Sequence, residues 1–377
     1  MTAISTAIDS GVADTTPDLR VAFFSDSLPE RNGTGAYYHD LLAHLAPRVG
    51  AVEVIQPSPR RGWTDLSLPL PGDPTQRLVL PDPFRIRRTM TRLRPHVVVG
   101  VTPGPFGLLG LWMARRHGCA YISAYHTNFE ALADLYWSNM KGRLITDALG
   151  TINRFICRRS ATVLVNNDSL VDTVRSLGTD RVDVMGTPLD RSFLTMPPTA
   201  PPEEITRICF AGRLAAEKNI ESVIDAAAQW PGLRFVIAGD GPLRTMVEAA
   251  AARQENLEYR GWLDREDLCA LIDESSLLVL PSHVETFGSI ALEAMVRGRL
   301  VLVSANAGIH DWPLIADNLF ELNPDETLAE VIGQLQSIPP GALRVIGERS
   351  REGALQFHRE TMDQWVSVLS AHTTHSA

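Results

Sequence analysis

Glu285 and Glu293 stand eight residues apart in the run Pro281-Ser-His-Val-Glu-Thr-Phe-Gly-Ser-Ile-Ala-Leu-Glu-Ala-Met295. Taken as one helix, rising about 1.5 Å per residue, the two carboxylates are separated by on the order of 12 Å. The acid–base pair of a glycosidase needs roughly 5–9.5 Å, so that chemistry is not expected. The spacing suits two hydrogen-bond acceptors that grip hydroxyls at opposite ends of an extended ligand, such as a sugar nucleotide. The amides of Phe287, Gly288, Ser289 and Ile290 are then expected at the helix N-terminus, where unpaired donors and the helix dipole favour a phosphate.

A second signal is the near absence of lysine. Of 35 basic residues only Lys141 and Lys218 are Lys. Lys218 lies in the segment Phe210-Ala-Gly-Arg-Leu-Ala-Ala-Glu-Lys-Asn219, five residues after Arg213. Upstream, Gly33 and Gly35 follow the first apolar run, where glycine permits a turn with positive φ at little cost.

These residues need a scaffold, and 377 residues are enough for two domains of ordinary size. With 45% hydrophobic and 21% charged residues the chain has the composition of a soluble globular enzyme. Cys119, Cys157, Cys209 and Cys269 are too scattered for a zinc ribbon or a disulfide framework and read as buried thiols in a reducing cytoplasm. The first 19 residues lack a basic start and an apolar run, which predicts a disordered tail and a cytoplasmic protein. Residues 97–114 carry no charge, but their glycines and prolines predict a strand, a tight loop and a helix in preference to a membrane span.

Short β-branched runs alternate with amphipathic stretches, the pattern of parallel sheets covered on both faces. Strands are expected at 20–25, 52–56, 96–101, 120–124, 161–165 and 182–185, with helices at 36–45, 106–117, 130–159 and 169–177. Residues 196–204 are too rich in proline for a helix or a central strand and read as an interdomain linker. The alternation restarts with strands at 206–211, 234–238, 257–259, 277–280 and 300–304 and helices at 217–229, 242–253, 265–273 and 286–297. The predicted organisation is therefore an N-terminal half at 20–195, a C-terminal half at 205–355, and a helix at 356–377 that crosses back to the first half. Two doubly wound sheets facing each other place their carboxyl ends on one cleft, where ligands of open α/β sheets bind.

The segments around Arg213 and Glu285 resemble the retaining glycosyltransferases of family 4, a group with the GT-B fold that includes bacterial mannosyl-, glucosyl- and sulfoquinovosyltransferases. The resemblance implies two Rossmann-like domains around a central cleft, with an NDP-sugar donor in the C-terminal half and the acceptor in the other. It further implies that Arg213 and Lys218 hold the donor diphosphate, that Glu285 faces the hexose and Glu293 the ribose, and that the backbone at Leu263, in Gly261-Trp-Leu263, meets the base. Gly239-Asp-Gly-Pro242 matches the turn after the family's second C-domain strand. Asn32-Gly-Thr-Gly35 resembles the glycine loop near the donor phosphates, and His126, in Ala124-Tyr-His-Thr-Asn-Phe129, matches a histidine near the reacting sugar. Two places depart from the pattern: only Gly308 fits the usual glycine pair after the strand at 300–304, and Gly186-Thr-Pro-Leu-Asp190 replaces the commoner Asn-Gly-Val-Asp.

Hexosyl transfer without a metal or a separate cofactor is the leading expectation. A sugar-nucleotide-binding protein without turnover is the alternative that shares these residues. A nicotinamide oxidoreductase is disfavoured, because the third glycine of Gly-x-Gly-x-x-Gly is Tyr38 here. The expected acceptor is a soluble sugar or a lipid-linked one, and nucleic acid is not an expected partner. The lipid reading rests on charge: residues 1–190 hold 20 basic against 18 acidic residues and the rest 15 against 26, while the total is −9. Arg85, Arg87, Arg88, Arg92 and Arg94 crowd one predicted helix, and Leu132, Leu135, Tyr136, Trp137 and Met140 lie beside Lys141 and Arg143. Apolar and basic residues interleaved in this way suit either the face of an anionic membrane or an ordinary solvated surface.

Overall fold

The computed structural model describes residues 16–26, 33–57, 67–70, 73–126 and 140–373. In the first half the order is β1 (Thr16–Phe24), α1 (Gly33–Leu45), β2 (Val49–Ile55), β3 (Ser67–Leu70), β4 (Asp73–Val79), α2 (Pro83–Leu93), β5 (Val97–Gly100), α3 (Pro105–His117), β6 (Ala120–Ala124), α4 (Met140–Cys157), β7 (Val163–Val165), α5 (Ser169–Ser176), β8 (Val182–Val184) and α6 (Arg191–Thr195). Six of these strands form a parallel sheet in the order β2-β1-β5-β6-β7-β8. All four residues of β5 are buried, as expected of a parallel strand covered on both faces.

The second half runs β9 (Arg207–Ala211), α7 (Ile220–Gln229), β10 (Arg234–Ala238), α8 (Arg244–Ala251), β11 (Leu257–Gly261), α9 (Arg265–Glu274), β12 (Leu277–Leu280), α10 (Ser289–Val296), β13 (Leu300–Ser304), α11 (Pro313–Ala316), β14 (Phe320–Leu322), α12 (Leu328–Leu335) and α13 (Pro340–Ala371). Its sheet is also parallel, in the order β11-β10-β9-β12-β13-β14. The strand order reverses between β9 and β12, and in the first sheet between β1 and β5. These reversals open a crevice at the carboxyl ends of the strands, which positions the site.

One helix joins the two cores. Proline at its first position starts α13 without loss of a needed donor, and the helix then runs for 32 residues. Leu343, Ala354 and Phe357 pack into the core of the second half. Met362, Trp365, Val366 and Leu369 pack into the first, with Val21, Phe23 and Tyr37. Trp365 is fully buried and donates its Nε1–H to Tyr37 Oη at 3.2 Å.

Several expectations need correction. β1 begins at Thr16, so residues 16–19, expected in the tail, belong to the sheet. Gly33 and Gly35 lie in the first turn of α1, while Asn32 and residues 130–139 of the expected long helix fall outside the described residues. The helix expected from residue 286 starts at Ser289, because Gly288 adopts φ 98°, outside the helical region. Glu285 therefore precedes the helix, and a helical rise does not give its distance from Glu293. The β3–β4 antiparallel pair and β14 were not anticipated. The segment expected as a spacer is strapped down: Arg297 Nη1 and Nη2 donate to the carbonyls of Met196 and Pro197, each at 2.7 Å, and Arg299 Nη2 donates to those of Thr199 (3.2 Å) and Ala200 (2.5 Å). No helix among the described residues is long and apolar enough to cross a membrane.

Candidate active site

At the switch point of the second sheet, the loop after β9 carries Arg213 and Lys218, and the loop after β12 carries Ser282 and Glu285. The two loops are tied by the backbone, since the amide of His283 donates to the Glu217 carbonyl at 2.8 Å. Lys218 closes a short 3-10 turn and points its Nζ at Glu285 Oε2, 2.6 Å away. Ser282 Oγ donates to the same oxygen at 3.3 Å. Arg213 Nη1 lies 3.5 Å from Glu217 Oε1. Two cations, each beside a carboxylate, thus lie on the loops where β9 and β12 open, a group suited to an anion that carries hydroxyls.

The neighbouring turn is built for close approach. Gly239 has φ 135°, and a Cβ there would lie 1.8 Å from the Gly212 carbonyl oxygen. Glycine at 239 is therefore required to pack the turn after β10 against the Arg213 loop. Leu214 N donates to Asp240 O at 3.0 Å, which closes the contact.

The N-terminus of α10 has no side-chain cap; the Ala291 amide donates to the Gly288 carbonyl at 2.8 Å, which leaves those of Ser289 and Ile290 to face an anion. The Phe287 ring is committed to the core, where it stacks on Phe357 at 5.9 Å. Only its backbone can serve a ligand. Leu263 is partly buried against the core beside Trp262, which is 61% exposed.

Glu293 is 6% exposed and pairs with Arg265 Nη1 at 2.7 Å. The same guanidinium reaches Asp40 Oδ2 of α1 at 3.0 Å and Asp190 Oδ2 at 3.8 Å. The sequence reading missed Arg265 and Asp40. An acidic residue inside the apolar run Tyr37-Tyr-His-Asp-Leu-Leu42 was the available signal, since such a position demands a partner. Asp190 caps α6 by accepting from Ser192 N at 2.7 Å, which gives this aspartate a local structural role. His39, Asp40 and Asp190 bring three metal-capable atoms within 4.8 Å of one another.

On the facing half, His126 follows β6. Its Nε2 is 2.7 Å from Tyr38 Oη, and its Nδ1 is buried without a partner among the described residues. Burial lowers its pKa to about 4, so the ring is neutral at physiological pH. No hydrogen bond among the described residues joins His126 to the Lys218–Glu285 group.

Residues 31–193 match the model for Glycosyltransferase Family 4, and residues 195–352 match that for Glycosyl transferases group 1. A GDP-mannose-dependent alpha-(1-6)-phosphatidylinositol dimannoside mannosyltransferase of Mycobacterium tuberculosis is 26% identical over 316 residues, 78% of this chain and 79% of the relative. A 2-deoxystreptamine N-acetyl-D-glucosaminyltransferase of Streptomyces fradiae is 31% identical over 233 residues, about half of each chain (54% and 53%). Among solved structures, the sucrose-phosphate synthase of Thermosynechococcus elongatus superposes with a TM-score of 0.72 at 16% identity, covering 96% of this chain and all of the other (100%). HepE of Anabaena in complex with UDP-glucose superposes with a TM-score of 0.68 at 16% identity, covering 94% of this chain and 100% of the other.

Proposed function

Since the chain belongs to glycosyltransferase family 4 and has the GT-B fold, we propose that it moves a hexose from an NDP-sugar to an acceptor hydroxyl with retention of configuration, giving an α linkage. The observation that carries this reading is the Lys218–Glu285 contact beside Arg213 at the switch point of the second sheet. As the bond between the anomeric carbon and the diphosphate breaks, negative charge grows on the leaving group. Two fixed cations there stabilise the transition state more than the ground state, which raises kcat. The open N-terminus of α10 adds donors to the same anion. Glu285 and His126 position the hexose, Glu293 accepts from the ribose, and the backbone at Leu263 meets the base. These groups neutralise the diphosphate without a metal ion.

The donor is tested with a panel of UDP-, GDP- and ADP-sugars scored by thermal shift. A ligand at 100 times its Kd stabilises by about 2.7 kcal/mol. Anomeric NMR of the product then reads its configuration. A β-linked product from an α-donor refutes retention. Binding of a donor with neither transfer nor hydrolysis favours a protein that binds sugar nucleotides without turnover.

For the acceptor we propose a lipid-linked molecule, met at the cytoplasmic face of the membrane. Support comes from α2, whose Arg85, Arg87 and Arg88 form no ion pair among the described residues, beside Phe84, which is 84% exposed.

A further inference from the structure

A carboxylate as buried as Glu293 tends to take up a proton, and burial does raise its pKa; a proton would turn one oxygen into a donor and leave only a weaker neutral acceptor for the ribose hydroxyls. The charged or titratable groups that face it are Arg265 and Cys269 on α9, Asp190 at the start of α6 and Asp40 on α1, which also touches the His39 ring at 3.4 Å. One guanidinium serves all three carboxyls. Arg265 spends Nη1 on Glu293 Oε1 at 2.7 Å and Nη2 on Asp40 Oδ2 at 3.0 Å. No hydrogen bond among the described residues engages Glu293 Oε2.

We propose that Arg265 is a positioning residue for the donor: it anchors Glu293 through Oε1, leaves Oε2 for the ribose of the nucleotide, and fastens that carboxylate to Asp40 of the opposite half. The inference rests on reading Glu293 as the ribose ligand. A rigid planar fork with separate donors can hold two carboxyls at once, whereas the point charge of a lysine holds one well. Arg265 also favours the ionised form of Glu293, so its loss moves the pH at which the nucleotide is held. Arg265 thus makes donor affinity depend on a contact between the two halves of the molecule.

The test titrates the full-length protein with UDP and with GDP by calorimetry, for wild type, Arg265→Ala, Arg265→Lys and Glu293→Gln. Arg265→Ala is expected to weaken the nucleotide about tenfold at pH 6.5, with a smaller loss at higher pH, since burial without the neighbouring cation raises the Glu293 pKa further and alkali favours the carboxylate. Donor KM rises by the same factor while kcat changes less than about threefold. Arg265→Lys is expected to recover part of the affinity, and serves as the test if Arg265→Ala does not fold. Unchanged affinity in Arg265→Ala, or a loss that does not vary with pH, overturns the proposal while a tenfold loss in Glu293→Gln keeps the ribose reading. If Glu293→Gln also binds as tightly as wild type, the ribose reading itself is wrong and the proposal goes with it.

Discussion

Lys218 Nζ lies 2.6 Å from Glu285 Oε2, although 67 residues separate them in the chain. Each comes from a loop at the carboxyl end of a sheet strand, and β9 and β12, which carry those loops, are hydrogen-bonded neighbours. The sheet topology therefore brings the proposed diphosphate ligand against the proposed hexose ligand before any side chain is considered. Lys218→Ala or Arg213→Ala is expected to lower kcat/KM for transfer by roughly 10²–10³, the effect of removing one preorganised donor from a developing anion. The circular dichroism spectrum should not change, because both side chains end outside the core clusters. Normal turnover in both single variants removes the diphosphate assignment.

Glu285 and Glu293 separate by function in a second prediction. Glu285→Gln is expected to damage transfer while the free nucleoside diphosphate binds nearly as before, since the nucleotide has no hexose for Glu285 to meet. Glu293→Gln is expected to weaken the free nucleotide. Calorimetry with the nucleotide alone distinguishes them, and equal losses in both variants mean that the two ends of the donor have been assigned wrongly.

The strands at 234–238, 277–280 and 300–304 were readable to the residue, because a β-branched run buried on both faces leaves a continuous apolar signature. Glu285 and Glu293 could be found as a pair but not placed. Periodicity alone carries the helix back through residue 286, and only the positive φ of Gly288 ends it. Arg265 was illegible for a different reason. It begins an ordinary amphipathic helix, and its partners Asp40, Asp190 and Glu293 lie 225, 75 and 28 positions away. Their meeting is a property of how the two halves pack, which no local pattern encodes. The strap on the linker was hidden likewise, since Arg297 and Arg299 look like surface residues until their burial, 1% and 4% exposed, is seen.

That strap yields a stability prediction. Arg297 holds Asp273 through Nε at 2.8 Å and Nη2 at 2.5 Å while donating to the Phe193, Met196 and Pro197 carbonyls. Arg297→Met takes the buried guanidinium from a half-buried carboxylate and three carbonyls, at a cost of up to about 3–5 kcal/mol. Adding Asp273→Leu should restore part of the loss by removing the stranded charge. Denaturant midpoints of the two variants check this, and a single variant as stable as wild type contradicts it.

Two buried histidines are expected to weaken the fold in acid. Burial lowers His126 to about 4, and burial with the nearby His44, Arg48 and Arg359 lowers His358 to about 3. In the unfolded chain both titrate near 6.5, so between about 6.5 and 4 the unfolded state binds protons that the native state refuses. Their stabilising contribution is fully present above pH 6.5 and falls with pH, by at most about 1.4 kcal/mol per pH unit for each histidine. Asp40 has the opposite sign. Burial raises it to about 8, so the native state keeps a proton that the unfolded state releases above about 4. Asp40→Asn is thus expected to stabilise at pH 7.5 and to have little effect at pH 4, while His358→Gln flattens the acid slope. Urea midpoints at these pH values decide both, and parallel pH profiles for wild type and His358→Gln defeat the histidine account.

The last prediction concerns the acceptor side. Ile86, Met90 and Leu93 turn one face of α2 into the core, in a cluster shared with α3 and with Ile156 of α4. These three helices therefore cover the same face of the first sheet, and each leaves an aromatic ring exposed: Phe84 at 84%, Trp112 at 51% and Phe155 at 43%. Arginines accompany the rings, with Arg116 5.7 Å above Trp112 and Arg159 3.9 Å above Phe155. Rings that insert between headgroups while guanidinium groups meet phosphates are what an anionic interface selects. Not every arginine of α2 is available for this, since Arg92 Nη2 is held by both oxygens of Glu53 at 2.8 Å. Arg85, Arg87 and Arg88 remain. Each basic residue near an anionic surface contributes about 1 kcal/mol, so changing all three to Gln should weaken binding to anionic vesicles by roughly 10² at low salt. Raising the salt should weaken the wild type in the same way, because the attraction is screened beyond about 8–10 Å near physiological ionic strength. Phe84→Ser should produce a smaller loss that salt does not reproduce, because insertion of a ring is not a charge interaction. Wild-type protein that fails to cosediment with anionic vesicles at low salt refutes the membrane reading and moves the acceptor search to soluble sugars.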